Sequence, residues 1–149
     1  MQREIEIKLT SPVQYAFKGD TVDAKFVMLK APTARNISDC SFLKKMFTNA
    51  AIKAGEHNKK ESSSSDSDVD VTGSDVMELV YAFGDSEDIE KAMIAAKKIF
   101  KDCGELDGEI TLTMPLIDEI SLDDFELMVG EYIANFIAAS MLGKKQKKN

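Results

Sequence analysis

An alternating pattern opens the chain in residues 3–30, which read REIEIKLTSPVQYAFKGDTVDAKFVMLK. In its first part isoleucine and leucine alternate with charged residues, a period of two that is typical of a half-buried strand. We expect Pro12 to break this run, after which the alternation resumes and Lys18-Gly19-Asp20 supplies a turn. Beyond the turn, one face of the next strand is predicted to carry Val22, Ala24, Phe26 and Met28. The stretch therefore predicts an antiparallel hairpin or a three-stranded meander.

Helical periodicity follows this β region. A helix is predicted over residues 34–54, because one apolar stripe recurs there at helical spacing, and Gly55 is expected to end it. The stripe consists of Leu43, Met46, Phe47, Ala50 and Ala54. Two further helices are predicted at residues 76–83 and 86–103, each followed by a glycine. The sequence therefore indicates an α+β fold, with a small N-terminal antiparallel sheet followed by about four helices and a long Ser/Asp-rich loop in the middle.

The last helix is predicted from Ser121 to Gly143. Ser121 precedes Asp124 by three residues, an approximate capping box at the start of an apolar run. The run forms a wide stripe that fits either the core or an interface. We take part of it as the candidate partner-binding face, namely Phe125, Met128, Val129, Tyr132, Ile133 and Phe136. The stripe of the 34–54 helix is the alternative face.

The length of 149 residues predicts a single domain, residues 1–149. A Ser/Asp-rich stretch in the middle has too few apolar residues to form a core, so we interpret it as a flexible linker or long surface loop. The predicted organisation is a β-hairpin plus helix at 1–55, the linker at 56–75, a helical part at 76–143 and a basic tail at 144–149. Each half alone is too small to be an independent domain.

The charge distribution is uneven. The net charge of −7 combines +5 over residues 1–60, −16 over residues 61–143 and +4 over residues 144–149. An acidic body repels phosphate backbones, which argues against nucleic-acid binding. The asymmetry suits docking within the chain, head-to-tail self-association or a basic partner, while solvated helix faces are the simpler interpretation. The sequence has no long apolar window and no apolar leader, so we predict no membrane span and no secretory signal. Two cysteines without short spacing indicate reduced thiols inside a cell.

Residues with catalytic or metal-binding potential are few. Asp66-x-Asp68-x-Asp70 resembles the start of a calcium loop, but valine and methionine occupy the positions where such a loop needs a glycine and a bidentate glutamate. His57, the only histidine, lies among polar linker residues, and the sequence has no glycine-rich phosphate loop. We therefore predict no catalytic residue, no cofactor, no metal site and no enzymatic activity.

Strings near both ends of the chain carry a resemblance to a known family. They are Ile7–Val13, Phe17–Val22 and Leu29–Thr33, followed near the C-terminus by Pro115–Phe125 and Gly130–Phe136. The N-terminal strings combine a strand that ends near Ser-Pro-Val, a glycine turn, a second strand and a Pro-Thr before a helix. In order and spacing, the five strings together resemble the short form of the tail assembly chaperones of long-tailed phages.

The resemblance implies a tail assembly chaperone in the host cytoplasm. Such a protein binds the long, helical tape measure protein, keeps it soluble, promotes polymerisation of the tail tube and is absent from the mature virion. The implied partners are the tape measure protein, the tail tube protein, a frameshifted long form and further copies of the chain, with no nucleic acid and no membrane. A programmed frameshift is then expected at Lys144-Lys145 or Lys147-Lys148. The alternative is a structural virion component, such as a small tail or head–tail joining protein.

Overall fold

The structure is a computed structural model that describes residues 3–57 and 72–138. Its elements in chain order are β1 (Glu4–Phe17), β2 (Asp20–Lys30), a 3₁₀ turn (Ala34–Asn36), α1 (Ile37–His57), α2 (Gly73–Phe83), α3 (Ser86–Cys103), β3 (Gly104–Leu106), β4 (Ile110–Thr111), α4 (Met114–Asp118), α5 (Leu122–Tyr132) and a π-helical turn (Ile133–Ala138). The predicted α+β class is confirmed, with one antiparallel sheet of four strands.

The sheet has the strand order β1-β2-β3-β4. β1 and β2 form the predicted hairpin, and its turn holds Lys18 and Gly19 at positive φ, as a two-residue type I′ loop requires. β3 and β4 follow α3 in the chain; β3 pairs with the free side of β2, and β4 pairs with β3. The loop between them, residues 107–109, also has two positive φ values, at Asp107 and Gly108. The sequence predicts an extended piece over Glu109–Met114, which contains β4, whereas β3 is not predicted.

An irregularity interrupts the pairing of β1. Its register with β2 shifts between Lys8 and Val13, yet the strand itself continues to Phe17. Pro12 therefore interrupts the pairing without separating two strands, which corrects the prediction that it breaks the run. Proline has no N–H to give to a neighbouring strand, and this suits it to an irregular stretch.

The same irregularity changes the face that β2 turns to the core. Ala24 is buried as predicted, but beyond it Val27 and Leu29 are buried, whereas Phe26 and Met28 are only half-buried. The prediction of one continuous core face along this strand is therefore wrong. A bulge moves the side chains that follow it to the opposite face, and sequence alternation on one strand does not reveal where that happens.

Two aspartate side chains bind backbone N–H groups at this irregularity. Asp124 of α5 accepts hydrogen bonds from the N–H groups of Thr10 (3.1 Å) and Ser11 (3.2 Å) and from the Thr10 hydroxyl (2.8 Å). On the facing strand, Asp107 accepts a hydrogen bond from the N–H of Lys25 (2.8 Å). Carboxylates from distant parts of the sequence thus fasten both strands of the hairpin to the rest of the fold.

The helices extend further than predicted. α1 continues past Gly55 and ends at His57, and α2 begins at Gly73, where the Thr72 side chain caps it. Both ends of the predicted linker at 56–75 are therefore helical, while its central part lies outside the described residues.

α5 begins as predicted. The Ser121 hydroxyl oxygen accepts a hydrogen bond from the N–H of Asp124 (3.1 Å), and beyond Tyr132 the chain continues as the π-helical turn. The rest of the predicted helix to Gly143 and the basic tail lie outside the described residues. α5 packs on β1 and α3 on β2, with one hydrophobic core between helices and sheet. None of the described helices is long and apolar enough to cross a membrane.

Candidate functional site

The predicted partner-binding face belongs to the core. Its residues are Phe125, Met128, Val129, Tyr132, Ile133 and Phe136, of which the first five are buried and the last is half-buried. The Tyr132 ring packs edge-on against Phe100 and Phe136, and its hydroxyl donates to the carbonyl oxygen of Lys30 (2.9 Å). The structure therefore places most of this face in the core, and of the six residues only Phe136 is partly open to a partner.

The alternative face on α1 is also occupied by the chain itself. Leu43, Met46, Ala50 and Ala54 are buried, and Phe47 is half-buried against the core. α1 packs on α3 and α2. Among the described residues, the chain itself therefore covers most of both stripes.

An open cleft lies instead between α2 and α5. The two helices cross in contact at Gly73 and Gly130, where a Cβ on Gly130 would lie 2.4 Å from the carbonyl oxygen of Gly73. A side chain at this point would force the helices apart, so glycine permits the close crossing. The Gly73 N–H also donates to Oε2 of Glu131 (3.2 Å), which ties the start of α2 to α5.

The cleft beside this crossing has a volume of about 460 Å³. Its apolar side chains come from both helices, and so do the carboxylates at its rim. The six side chains that matter here are Met77, Glu78 and Tyr81 of α2 and Asp123, Glu126 and Leu127 of α5. Tyr81 is 50% exposed and Leu127 is half-buried, so the apolar floor is accessible to a partner.

The cleft is acidic, and within the described ranges no ion pair neutralises its rim. α2 and α5 together contain six Asp and Glu residues and no Lys or Arg, which is the one signal in the sequence that could have pointed to the site. None of the three rim carboxylates, Glu78, Asp123 and Glu126, forms an ion pair with a described residue. A cationic partner would therefore find three available carboxylates.

A hydrogen bond across the cleft joins its two helices. The Tyr81 hydroxyl donates to Oε2 of Glu126. Burial, and beyond it the Glu126 carboxylate, raises the pKa of Tyr81 to about 12. The phenol is therefore neutral at physiological pH and acts as a donor that orients Glu126.

Asp124 has a positioning role next to the cleft. It is 1% exposed, in contrast to its exposed neighbour Asp123. Burial by itself raises the pKa of Asp124, but hydrogen bonds from Thr10, Ser11 and Ser121 outweigh that effect and hold the pKa below its usual value. The ionised carboxylate fixes the first turn of α5 on β1, and with it the α5 side of the cleft.

A second, smaller cleft of about 260 Å³ lies between α1 and α3. Phe42 and Ile94 are 38% and 53% exposed there, flanked by Lys91, Lys98 and one carboxylate. Lys91 is already paired with Glu87 one turn away (3.4 Å). Because its charges are mixed and partly paired, this cleft selects the charge of a partner less strongly than the uniformly acidic cleft between α2 and α5.

The residues considered for catalysis or metal binding do not converge in the described part of the chain. There, no group of three or more His, Cys, Asp or Glu side chains is arranged to hold a metal ion. Residues 66–70 and the His57 side chain lie outside it. Cys40 and Cys103 are buried, and burial raises the pKa of both thiols, so they are protonated and poor nucleophiles at neutral pH.

Comparisons with known proteins give no match. No protein-family model matches the chain, and no curated protein and no solved structure matches it significantly.

Proposed function

We propose that this chain is a tail assembly chaperone of a long-tailed phage, acting by binding and without enzymatic chemistry in the host cytoplasm. It holds the tape measure protein in solution while the tail tube polymerises and leaves before the virion is complete. The observation that carries the proposal is the cleft between α2 and α5, which combines an exposed apolar floor with carboxylates that have no cationic partner among the described residues. The tail tube protein, a frameshifted long form and further copies of the chain are proposed as additional partners.

Three properties support this function. A groove between two helices is a common receptor for an amphipathic helix, and the expected client is long and helical. A net charge of −7 favours solubility of a complex with an apolar client. The strings that resemble the chaperone family include Gly130 and Glu131, both of which contact the start of α2 at the crossing beside the cleft.

The test compares infected cells with purified particles. If the proposal is right, immunoprecipitation from infected cells recovers the tape measure protein with this chain, while mass spectrometry of purified virions detects the tape measure protein and not the chain. Stoichiometric presence of the chain in virions would refute the chaperone and favour the alternative, a structural tail or head–tail joining component.

A further inference from the structure

We infer that the α2–α5 cleft binds a basic amphipathic helix, with apolar side chains on the floor between Met77, Tyr81 and Leu127 and lysine or arginine side chains on Glu78, Asp123 and Glu126. The inference rests on the proposed function only for the source of this helix, which is the client protein. The recognition chemistry itself follows from the cleft.

The shape of the cleft favours a helix as its occupant. Two helices that lie side by side leave a groove into which a third helix packs, with side chains at positions i, i+3, i+4 and i+7 pointing into it. The lining of α2 runs from Gly73 to Tyr81, a rise of about 12 Å or slightly more than two helical turns. An extended peptide would instead need backbone partners at a sheet edge, and the cleft contains no strand.

The floor of the cleft is suited to side chains of varied shape. Tyr81 presents half of its surface to solvent, and its hydroxyl is fixed by Glu126, so that the ring is held in place before a partner arrives. Met77 also lines the cleft, but it is only 7% exposed, so its flexible thioether contributes a buried apolar base to the floor. Such a floor can accept repeated, similar helical segments of one long client rather than a single sequence.

The rim decides the sign of the partner's charge. Glu78 and Asp123 are exposed, Glu126 is half-buried, and no Lys or Arg occurs on either helix. Bringing an acidic or neutral segment against these carboxylates leaves them uncompensated, whereas lysine or arginine at the edges of an apolar stripe pairs with them. Charge complementarity therefore selects a cationic helix.

The binding test uses a synthetic peptide of about 18 residues, roughly five helical turns, with leucines on one face and lysines on the other. A matched peptide has glutamates in place of the lysines. Three full-length proteins are compared by fluorescence anisotropy: the wild type, the cleft variant Glu78→Gln/Asp123→Asn/Glu126→Gln, and a control variant Glu90→Gln/Glu109→Gln/Glu119→Gln. The control residues are exposed and lie outside the cleft, and both variants change the net charge by the same amount.

The expected result is saturable binding of the lysine peptide to wild type and to the control variant, about tenfold weaker binding to the cleft variant, and no binding of the glutamate peptide. Tyr81→Ser, which changes an exposed side chain and no charge, weakens binding as well and serves if the triple variant is unstable. Equal affinity for the cleft and control variants overturns the inference, because binding would then follow net charge alone.

Two other occupants are distinguished by the same assay. If removal of residues 144–149 strengthens peptide binding, the lysine-rich tail is the occupant and the inference is overturned. If the wild type self-associates through the cleft and the peptide fails to compete, a second copy is the occupant, and the inference is again overturned.

The proposed function and the inference can fail separately. A cleft variant that keeps the tape measure protein as soluble as wild type does would overturn the inference and leave the chaperone function standing. If the peptide binds at the cleft but the wild type does not keep the tape measure protein soluble, the chaperone function is overturned and the inference stands.

Discussion

Replacing Asp124 by alanine tests how the hairpin is fastened to α5. Three hydrogen-bond donors lose the Asp124 carboxylate, namely the N–H groups of Thr10 and Ser11 and the Thr10 hydroxyl. A hydrogen bond to a charged group contributes about 1.5–3 kcal/mol, but Thr10 and Ser11 are exposed, so water replaces the carboxylate in part. We expect Asp124→Ala to lower the free energy of unfolding by about 2–4 kcal/mol and the melting temperature by roughly 5–15 °C.

The adjacent residue provides the matched control. Asp123 lies in the same first turn of α5, is exposed and makes no hydrogen bond to β1, so Asp123→Ala removes only the favourable interaction with the helix dipole, about 0.3–1 kcal/mol. Urea unfolding followed by circular dichroism compares the two variants. If they lose stability equally, within about 0.5 kcal/mol, the carboxylate does not fasten the hairpin and the reasoning is refuted.

The pH dependence gives an independent reading of the same contact. Because the folded state lowers the pKa of Asp124, its stabilisation is fully present above the unfolded-state pKa of about 3.9 and is lost as the pH falls through the lower folded-state value. The stability gap between wild type and Asp124→Ala should therefore be widest near neutral pH and should narrow in acid. A gap that stays constant down to the acid transition would contradict this assignment.

Three further outcomes can be measured on the purified protein. Gly130→Ala should lower the free energy of unfolding by about 1–3 kcal/mol, because the new Cβ would lie 2.4 Å from the Gly73 carbonyl oxygen. A variant as stable as wild type in urea would mean that α2 and α5 separate freely at this crossing. No tyrosine of the folded protein should ionise near pH 10, because burial raises the pKa of Tyr15 and Tyr81 to about 12 and raises that of Tyr132 as well. The contribution of these neutral phenols to the free energy of unfolding is present below pH 10 and is lost as the pH rises through the folded-state pKa values. An absorbance step near pH 10 in the folded protein would refute this expectation. Both cysteine thiols should react with Ellman's reagent only as fast as the protein unfolds, whereas immediate reaction of the native protein would contradict their burial.

The hairpin and the main helices could be predicted because each has a long local pattern. Alternation over residues 3–30 predicted β1 and β2, and the cap at Ser121 marked the start of α5. β3 and β4 have three and two residues, too few for a period of two to be recognisable. The Asp107-Gly108 pair between them is a strong hairpin signal that could have revealed the pairing of β3 with β4, whereas the sequence pattern predicts only the extended piece over Glu109–Met114.

The candidate site could not be predicted because its parts are far apart in the sequence. Tyr81 and Glu126 meet only once α2 and α5 cross, and the crossing depends on the contact between Gly73 and Gly130. An amphipathic stripe such as the one on α5 has the same sequence pattern whether it faces the chain's own core or a partner. The stripes consequently predicted apolar helix faces, and the structure shows that most of their described residues belong to the core.

The most direct measurement of the central claim is the soluble fraction of the client that we propose for this chain, a tape measure protein, expressed alone and together with the chain. We expect the tape measure protein to be largely insoluble alone, and soluble and bound in a complex when the chain is present. Co-expression with the Glu90→Gln/Glu109→Gln/Glu119→Gln control should preserve this effect, since the control carboxylates lie outside the cleft. A tape measure protein that is equally soluble with and without the chain would contradict the chaperone function.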